Sequence, residues 1–308
     1  MSSSTKVVLV VGATGAVGRK VVKAVRARGH HVRALVRSGS DPRAIEGDGV
    51  SIARGDMMDP PSLEAAMRGA DAVITTAAGY TKRRKGDSAR TDIDGNRNLA
   101  DAARAVRLGR FVLCSILTAD QTPDVPHFWH KKLAEDYLQE TGVPFVALRP
   151  GAFLDQAVDF FADRVRKGSL LSFGAPNVPM TYVYTDDLAS NLAHAVDLPA
   201  DANGLAIDLG WDRPVSTNDL ASIIGELRGE ALGVKTIPWW FLGGALGAAG
   251  LVSGMARDLR AMFRHFQSGR YVADTALQSR YFGVPRAEDV LRRWLTSRGL
   301  VTASPGAA

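Results

Sequence analysis

Apolar runs alternate with segments of helical periodicity along the first half of the chain. The first run, Lys6 to Val11, precedes Ala16 to Arg28, where valines recur at helical spacing. This pattern predicts a strand followed by an amphipathic helix. The alternation continues with predicted strands at His31–Val36, Val50–Arg54, Asp71–Thr76, Arg110–Ser115 and Val143–Leu148, and predicted helices at Pro61–Arg68 and Asp94–Val106. Such alternation is typical of a parallel sheet with helices on both faces.

The pattern is less regular beyond Phe153. Helices are predicted at Asp155–Lys167 and Asp186–Val196, with a strand at Met180–Tyr184 between them. We therefore expect an α/β protein with a Rossmann-type doubly wound parallel sheet over residues 1–150. Residues 151–308 are expected to form a smaller, mixed C-terminal lobe that packs on this core and binds the substrate.

Three glycines follow the first strand at intervals of three residues. Gly12, Gly15 and Gly18 suit a tight turn, close approach of the backbone to a pyrophosphate, and packing of the next helix on the strand. The amides at the start of that helix would face the anion with the positive end of the helix dipole. We predict a dinucleotide site, against the alternative of a structural turn, formed by Gly12, Thr14, Gly15, Ala16, Val17 and Gly18.

The second predicted strand ends in Arg37. An acidic residue at this point usually binds the ribose hydroxyls of NAD, whereas an arginine accommodates the 2′-phosphate of NADP. NADP(H) is therefore the expected cofactor. Arg19 is a candidate second positive group, or an ordinary arginine of a surface helix.

Two short segments follow the third and fourth predicted strands. Ligands of open α/β sheets bind beyond the carboxyl ends of the strands. We therefore expect Asp56, Met57, Ala77, Ala78 and Gly79 to meet the cofactor, with a turn cap as the alternative for Asp56.

A rigid turn follows the sixth predicted strand, in Arg149-Pro-Gly-Ala-Phe153. We expect Pro150, Gly151 and Phe153 to reach over the nicotinamide, where Phe153 would exclude water from the reaction. A structural turn with a core phenylalanine is the alternative.

Composition and charge fit an enzyme-sized protein. The net charge of +6 is scattered, apart from the run Lys82–Lys85, and we expect no nucleic-acid partner and no metal site. The only cysteine, Cys114, lies in an apolar run, and the N-terminal residues lack a secretory pattern, so a cytoplasmic location is expected. The uncharged segment Ile237–Ala256 is long enough to suggest a membrane helix, but its five glycines favour the lining of an apolar pocket.

Several motifs together resemble those of atypical short-chain dehydrogenases/reductases, and within them the NmrA-like group of quinone reductases, benzylic ether reductases and redox-sensing regulators. The resemblance rests on the glycine motif and Arg37, Gly55-Asp56 and Leu148-Arg-Pro-Gly-Ala-Phe153, and extends through Lys131–Glu135 and Tyr182–Leu188 to Tyr281–Pro285. It covers nearly the whole chain.

The resemblance implies catalytic roles for three residues. Ser115 matches a hydroxyl that bonds the substrate carbonyl, and Lys131 matches the lysine that holds the nicotinamide ribose. The family's usual tyrosine, four residues before the lysine, is His127 in this chain. His127 is a candidate proton donor, or else a residue of the helix boundary. Lys131 alternatively is a surface lysine that pairs with Glu135.

These expectations favour an NADPH-dependent oxidoreductase that delivers hydride to an apolar small molecule, such as a quinone, ketone or enone. A non-catalytic NADP(H)-sensing regulator is the alternative, and a nucleotide-sugar epimerase or dehydratase is less favoured because the tyrosine is missing. We expect a monomer or homodimer with no membrane contact.

Overall fold

The computed structural model describes residues 4–79, 87–155 and 158–302. The basic run Lys82–Lys85 lies outside these ranges. The chain forms two compact units. The first contains Met1–Arg149 and Thr185–Ile207, and the second contains Pro150–Tyr184 and Asp208–Ala308.

A seven-stranded sheet has the strand order β10-β6-β5-β4-β1-β2-β3. The neighbouring pairs from β6 to β3 are parallel. From β1 the chain builds the sheet outward through β2 and β3, then crosses to the other side for β4, β5 and β6, so the strand order reverses between β1 and β4. This is the Rossmann-type arrangement, and it fixes where a ligand crevice forms. The strands are β1 Val7–Val11, β2 His31–Val36, β3 Val50–Arg54, β4 Ala72–Thr75, β5 Arg110–Cys114, β6 Phe145–Pro150, β7 Ala152–Phe153, β8 Ser169–Phe173, β9 Tyr182–Val183, β10 Leu205–Leu209 and β11 Gly233–Ile237.

The helices Ala16–Ala27, Pro60–Met67 and Asn96–Ala105 match predicted helices, whereas Asp87–Ala89 and Pro126–Thr141 were not predicted. The second half of the chain adds several more helices. A π-helical stretch, Arg90–Gly95, joins α3 to α4. The helices are α1 Ala16–Ala27, α2 Pro60–Met67, α3 Asp87–Ala89, α4 Asn96–Ala105, α5 Pro126–Thr141, α6 Val158–Arg166, α7 Thr185–His194, α8 Thr217–Arg228, α9 Trp239–Gly250, α10 Gly254–Gln267, α11 Ala276–Tyr281 and α12 Ala287–Ser297.

The core of the first unit lies around the central strands. Every residue of β4 and β5 is buried, which explains why their sequences are continuous apolar runs rather than alternating ones. Leu99 of α4 and Leu138 of α5 pack into the same cluster as Phe111 of β5.

The second unit has its own hydrophobic core and two small sheets. Strand β7 pairs with β9, and β8 pairs with β11, both in parallel. Trp211, Leu220 and Trp294 belong to one buried cluster. Helix α8 begins with a capping box, in which Ser216 and Asp219 exchange hydrogen bonds between side chain and backbone.

The segment Thr185–Ile207 departs from a single division of the chain after residue 150. Helix α7 packs against α1, and Lys20 of α1 donates a 2.6 Å hydrogen bond to the Thr185 hydroxyl. Lys6 forms a 2.9 Å ion pair with Asp197. These long-range contacts place the segment in the first unit, and periodicity carries no signal for them.

Within the part of the chain that the structure describes, no helix combines the length and the apolar character needed to cross a membrane. The uncharged segment Ile237–Ala256 instead contains α9 and the start of α10.

Candidate functional site

The glycine motif forms a tight loop between β1 and α1. Gly12 has a φ of +80°, a left-handed conformation that glycine adopts without strain. A Cβ at Gly12 would lie 2.9 Å from Thr76 Oγ1, and one at Gly18 would lie 2.0 Å from the Gly12 carbonyl oxygen. Larger residues at either position would force the backbone to move. The two glycines therefore allow the loop to pack closely on the segment after β4 and on its own backbone.

Helix α1 presents its N-terminus at this loop. Gly15 is the N-cap residue, no side chain caps the helix, and its first turn contains no acidic residue. The first amides of a helix are left for an external acceptor under these conditions. Arg19 donates a 3.0 Å hydrogen bond to the Thr14 carbonyl oxygen, so this arginine also braces the loop.

Two arginines end neighbouring strands at the same edge of the sheet. Arg37 follows β2 and is exposed, and Arg54 is the last residue of β3, in register with Val36. Arg54 Nη1 donates to the Arg37 carbonyl oxygen at 3.2 Å. Sequence analysis missed Arg54. Its position in the parallel register, rather than its spacing from the glycines, identifies it as a second candidate for binding a phosphate.

Asp56 and Met57 form a structured turn after β3. Asp56 Oδ1 accepts a 3.0 Å hydrogen bond from the Met58 amide, so this carboxylate caps the turn. Met57 is buried, and its carbonyl oxygen accepts from Asn98 at 2.8 Å. The turn is therefore fixed in shape from both sides.

Lys131 is the centre of a buried polar network. Its ammonium lies 2.8 Å from Asp92 Oδ1 and donates a 3.0 Å hydrogen bond to the Ala77 carbonyl oxygen. Asp92 Oδ2 accepts from the Gly79 amide at 3.2 Å. Both charged side chains are buried. The network joins α5, the π-helical stretch and the segment after β4. It therefore brings Lys131 and Ala77, which the sequence analysis singled out, together with Asp92, which it did not.

The pairing of Lys131 differs from the alternative of a surface lysine bound to Glu135. Glu135 pairs instead with Arg149, whose Nη2 lies 2.6 Å from Glu135 Oε2. Asp92 was missed by sequence analysis, because an aspartate in a helical segment carries no signal of its burial. Among residues 4–79, 87–155 and 158–302, the Lys131 ammonium donates one hydrogen bond, to Ala77, and forms an ion pair with Asp92.

Ser115 is buried and donates a 2.5 Å hydrogen bond to Glu135 Oε1. The same oxygen accepts from Arg149 Nε at 3.0 Å, and Arg149 Nη1 lies 2.7 Å from Asp120. Burial opposes the charge on Arg149, but the two carboxylates outweigh it and raise the pKa of Arg149. Because a hydroxyl has one proton, Ser115 has to release Glu135 before it can donate to a ligand.

His127 and Cys114 complete the buried surroundings of Lys131. His127 lies in the first turn of α5, one turn before Lys131, and contacts the Phe128 ring edge-on at 4.7 Å between centroids. Burial raises the pKa of the Cys114 thiol to about 11, with the Lys131 charge opposing the rise. The thiol is therefore protonated near neutral pH.

Pro150, Gly151 and Phe153 belong to the second unit. The Gly151 amide donates to the Leu209 carbonyl oxygen at 3.0 Å, and a Cβ at Gly151 would lie 2.5 Å from the Thr181 carbonyl oxygen. Phe153 is half-buried and pairs with Val183 in the sheet. The turn is thus held rigidly inside its own unit, and its approach to a cofactor stays a prediction.

The exposure of Trp240 and Phe241 differs from the expectation that their segment lines an apolar pocket. Their side chains are 77% and 58% exposed at the start of α9. Trp239 is half-buried.

Known proteins with similar sequences or folds include assembly factors and reductases. The photosystem II assembly factor Ycf39 of Synechocystis sp. is 28% identical over 234 residues, which cover 75% of this chain and 70% of that protein. The NADPH-dependent quinone oxidoreductase QOR2 of Escherichia coli, solved with NADPH, aligns with a TM-score of 0.74 at 20% identity over 94% of this chain and 99% of its own. The Citrobacter sp. triphenylmethane reductase, solved with NADP(H), aligns with a TM-score of 0.75 at 18% identity over 93% of this chain and 99% of its own.

At these identities the solved structures establish a shared fold. The sequence model of the NmrA-like family matches residues 4–281. This match spans the glycine loop, the Lys131 network and most of the second unit.

Proposed function

Since the chain belongs to the NmrA-like family, we propose that it is an NADPH-dependent oxidoreductase that reduces an apolar, aromatic or quinonoid small molecule. The observation that carries the proposal is the buried Lys131 ammonium, held by Asp92 and Ala77 at the carboxyl edge of a sheet that opens with a glycine loop. Two proteins of the same fold were solved with this cofactor and are named as reductases of quinones and triphenylmethane dyes.

The residues at the sheet edge fit NADP(H). A Cβ at Gly12 or Gly18 would collide with Thr76 or with the loop backbone, so the glycines permit the tight loop in front of α1 at which a pyrophosphate would bind. The uncapped first turn of α1 supplies amide donors, and Arg37 with Arg54 supplies positive charge for a 2′-phosphate. When bound, NADPH is the donor of the hydride.

Lys131 positions and stabilises charge in this proposal. Its ammonium has three protons and can donate to the nicotinamide ribose, or to the acceptor oxygen on which negative charge develops, while it stays bound to Ala77 and Asp92. Asp92 and Ala77 hold the ammonium at a fixed point, which lowers the cost of reorganisation. His127, one turn earlier on α5, or water supplies the proton that completes the reduction.

Ser115 has a conditional part in the reaction. Its hydroxyl donates to Glu135, and reorientation toward an acceptor oxygen would leave Glu135 with its two Arg149 contacts. We propose that Ser115 orients the acceptor after this change of partner.

The test is NADPH oxidation with a panel of quinones, aryl ketones and enones. We expect Lys131→Met to lower kcat/KM by at least about a hundredfold, as for the loss of one strong electrostatic donor. Lys132→Met is the matched control, since that lysine neighbours Lys131 on α5 and pairs with Asp136 rather than Asp92. Equal activity of the two variants would contradict the assignment.

Cofactor preference is tested separately at the end of β2. We expect Arg37→Ala to weaken NADPH binding by about tenfold or more and to leave NADH binding nearly unchanged, because only NADPH carries the 2′-phosphate. Fluorescence titration of each cofactor measures both constants. A matched loss for NADH and NADPH would show that Arg37 acts on the fold and not on the phosphate.

A non-catalytic NADP(H)-binding regulator is the second candidate. It is favoured by the engaged state of the Ser115 hydroxyl, by His127 at the usual tyrosine position, and by relatives that are named as assembly factors. One result would favour this candidate over the reductase. It is tight binding of NADPH by the wild type, with no oxidation of NADPH by any acceptor of the panel in either the wild type or Lys131→Met.

A further inference from the structure

Helix α9 presents a continuous apolar face to solvent. The exposed residues recur on one side of the helix and in the turn that follows it: Trp240, Phe241, Gly244, Ala245, Ala248, Ala249, Leu251 and Val252. Trp240, Leu251 and Val252 are 77%, 84% and 92% exposed. The face extends for about 18 Å along the helix axis. Contiguous exposed apolar surfaces of this kind mark contact sites for a partner or a membrane.

The opposite side of α9 packs on α10. A Cβ at Gly247 would lie 3.5 Å from the Arg260 guanidinium, and Arg257 Nη1 donates to the Gly250 carbonyl oxygen at 2.5 Å. The glycines let α10 approach closely, and the side chains of Arg257 and Arg260 lie against this packed side of α9. Helix α9 is therefore packed against the protein on one side, and its exposed apolar face is the other side of a well-packed helix.

The stretch of chain that forms α9 and α10 carries net positive charge. From residue 231 to residue 273 the chain has five basic residues and one acidic residue: Lys235, Arg257, Arg260, Arg264 and Arg270 against Asp258, which is buried. No charge occurs between Lys235 and Arg257. An occupant of the site has to bury a wholly apolar face and present negative charge next to it.

We propose that the hairpin of α9 and α10 binds the surface of an anionic phospholipid membrane. Helix α9 lies in the plane of the interface with Trp240 and Leu251 inserted among the acyl chains, and the α10 arginines lie at the level of the phosphate groups. Helix packing separates the two axes by about 8–10 Å, which matches the step from the acyl boundary to the headgroups. Tryptophan prefers this boundary because its ring is apolar and its N–H is polar. The proposal departs from the sequence-based expectation of no membrane contact.

A second copy of the chain fits the face less well. A second copy would have to present the same apolar and basic surface to this one, because a two-fold interface pairs the same patch of both subunits. In a two-fold dimer through α9, the α10 arginines of one copy would also approach those of the other. A lipid surface supplies the negative charge that a second copy of this chain lacks here.

Sedimentation of the full chain with vesicles tests the proposal. We expect binding to vesicles of phosphatidylglycerol and phosphatidylcholine in equal parts, and much weaker binding to phosphatidylcholine alone. Trp240→Ser and Leu251→Ser should each lower the partition coefficient on the mixed vesicles by about tenfold, since each removes one large side chain from the acyl region. Val272→Ser is the matched control, because Val272 is 37% exposed and lies outside the hairpin.

The role of the arginines is tested by Arg260→Gln, with Arg68→Gln on the first unit as its control. Arg260→Gln should lower binding to the mixed vesicles by about fivefold and leave binding to phosphatidylcholine unchanged. Brominated lipids should quench the wild-type fluorescence more than that of Trp240→Phe, which shows insertion independently of affinity.

Three results would overturn the proposal. The first is the absence of sedimentation with either vesicle. The second is full binding by Trp240→Ser with an unchanged melting temperature, which would place the contact elsewhere. The third is a wild-type dimer in analytical ultracentrifugation that becomes a monomer in Trp240→Ser, together with no binding of the wild type to vesicles. This result would assign the face to a second copy of the chain.

Discussion

At the residue scale, the polar groups of the candidate site are arranged in pairs that sequence spacing does not reveal. Lys131 pairs with Asp92, and Glu135 pairs with Arg149 while accepting from Ser115. A buried charge requires a partner because removal from water is costly. The two networks therefore constrain both the geometry of the site and the stability of the first unit.

Replacing Asp92 by asparagine should leave the Lys131 ammonium buried without its counterion. We expect Asp92→Asn to lower the free energy of unfolding by about 3 kcal/mol. The double variant Asp92→Asn/Lys131→Met should lose less than the sum of the single variants, because it removes both charges. Urea unfolding measures all four proteins, with Asp94→Asn as a control at an exposed aspartate nearby. Additive losses would show that the two residues do not stabilise one another.

Asp197 should make the free energy of unfolding of the first unit depend on pH in the acidic range. Burial opposes ionisation of Asp197, but hydrogen bonds from Lys6, His30 and Arg28 outweigh it and hold its pKa well below the usual range. A lowered pKa stabilises the fold above the unfolded-state pKa of about 3.9, and this contribution disappears as the pH falls toward the folded-state value.

We therefore expect wild type to exceed Asp197→Asn by about 2 kcal/mol in free energy of unfolding at pH 7. The difference should shrink steadily below about pH 4. Denaturant titrations at several pH values measure it, with the exposed Asp201 replaced by asparagine as a control. A difference that stays constant down to pH 2 would be the contrary result.

At the element scale, the site depends on how strand ends, helix starts and one π-helical stretch meet. The glycine loop sets the start of α1, and the π-helical stretch Arg90–Gly95 turns Asp92 inward toward Lys131 of α5. Because such stretches occur frequently at functional sites, its position beside Lys131 agrees with the proposed function.

Gly18→Ala should separate loop geometry from general stability. The new Cβ would lie 2.0 Å from the Gly12 carbonyl oxygen, and both contacting groups are backbone, so the start of α1 has to move. We expect NADPH affinity to fall by at least about tenfold. Gly244→Ala is the control, since its Cβ meets nothing within 4 Å. Unchanged affinity in Gly18→Ala would exclude the loop as the pyrophosphate site.

At the scale of the whole molecule, the chain passes from one unit to the other after Arg149, after Tyr184 and after Ile207. The first unit contains the glycine loop and the Lys131 network, and the second contains the turn from Pro150 to Phe153 and the α9–α10 hairpin. The glycine loop and the Lys131 network thus belong to one unit, and the hairpin proposed to bind a membrane belongs to the other.

Hydrogen exchange with and without NADPH should show this division. At a cofactor concentration of about 100 times Kd, binding adds about 2.7 kcal/mol to any opening that disrupts the site. We expect slower exchange in the loops after β1 to β4 and at the start of α5, and no change in α9. Protection of residues 151–153 would support the prediction that this turn meets the cofactor. Uniform protection of both units would contradict the division.

The order of the strands up to residue 150, the helices α1, α2 and α4, the glycine loop and the positive end of β2 were predictable from the sequence, whereas α3 and α5 were missed. Each predictable feature depends on local chemistry, such as apolar periodicity, a left-handed glycine or the residue that ends a strand. Family resemblance pointed to Lys131, and its burial was not evident because a lysine followed by a glutamate four residues later is typical of a helix surface.

Only the tertiary structure paired Lys131 with Asp92 and Ser115 with Glu135, returned Thr185–Ile207 to the first unit, and exposed the face of α9. These features join residues that are far apart in sequence or depend on which side of a helix is covered. Periodicity fixes which residues share a face, but packing decides whether that face contacts protein or solvent. The sequence pattern of an apolar helix is the same in both cases.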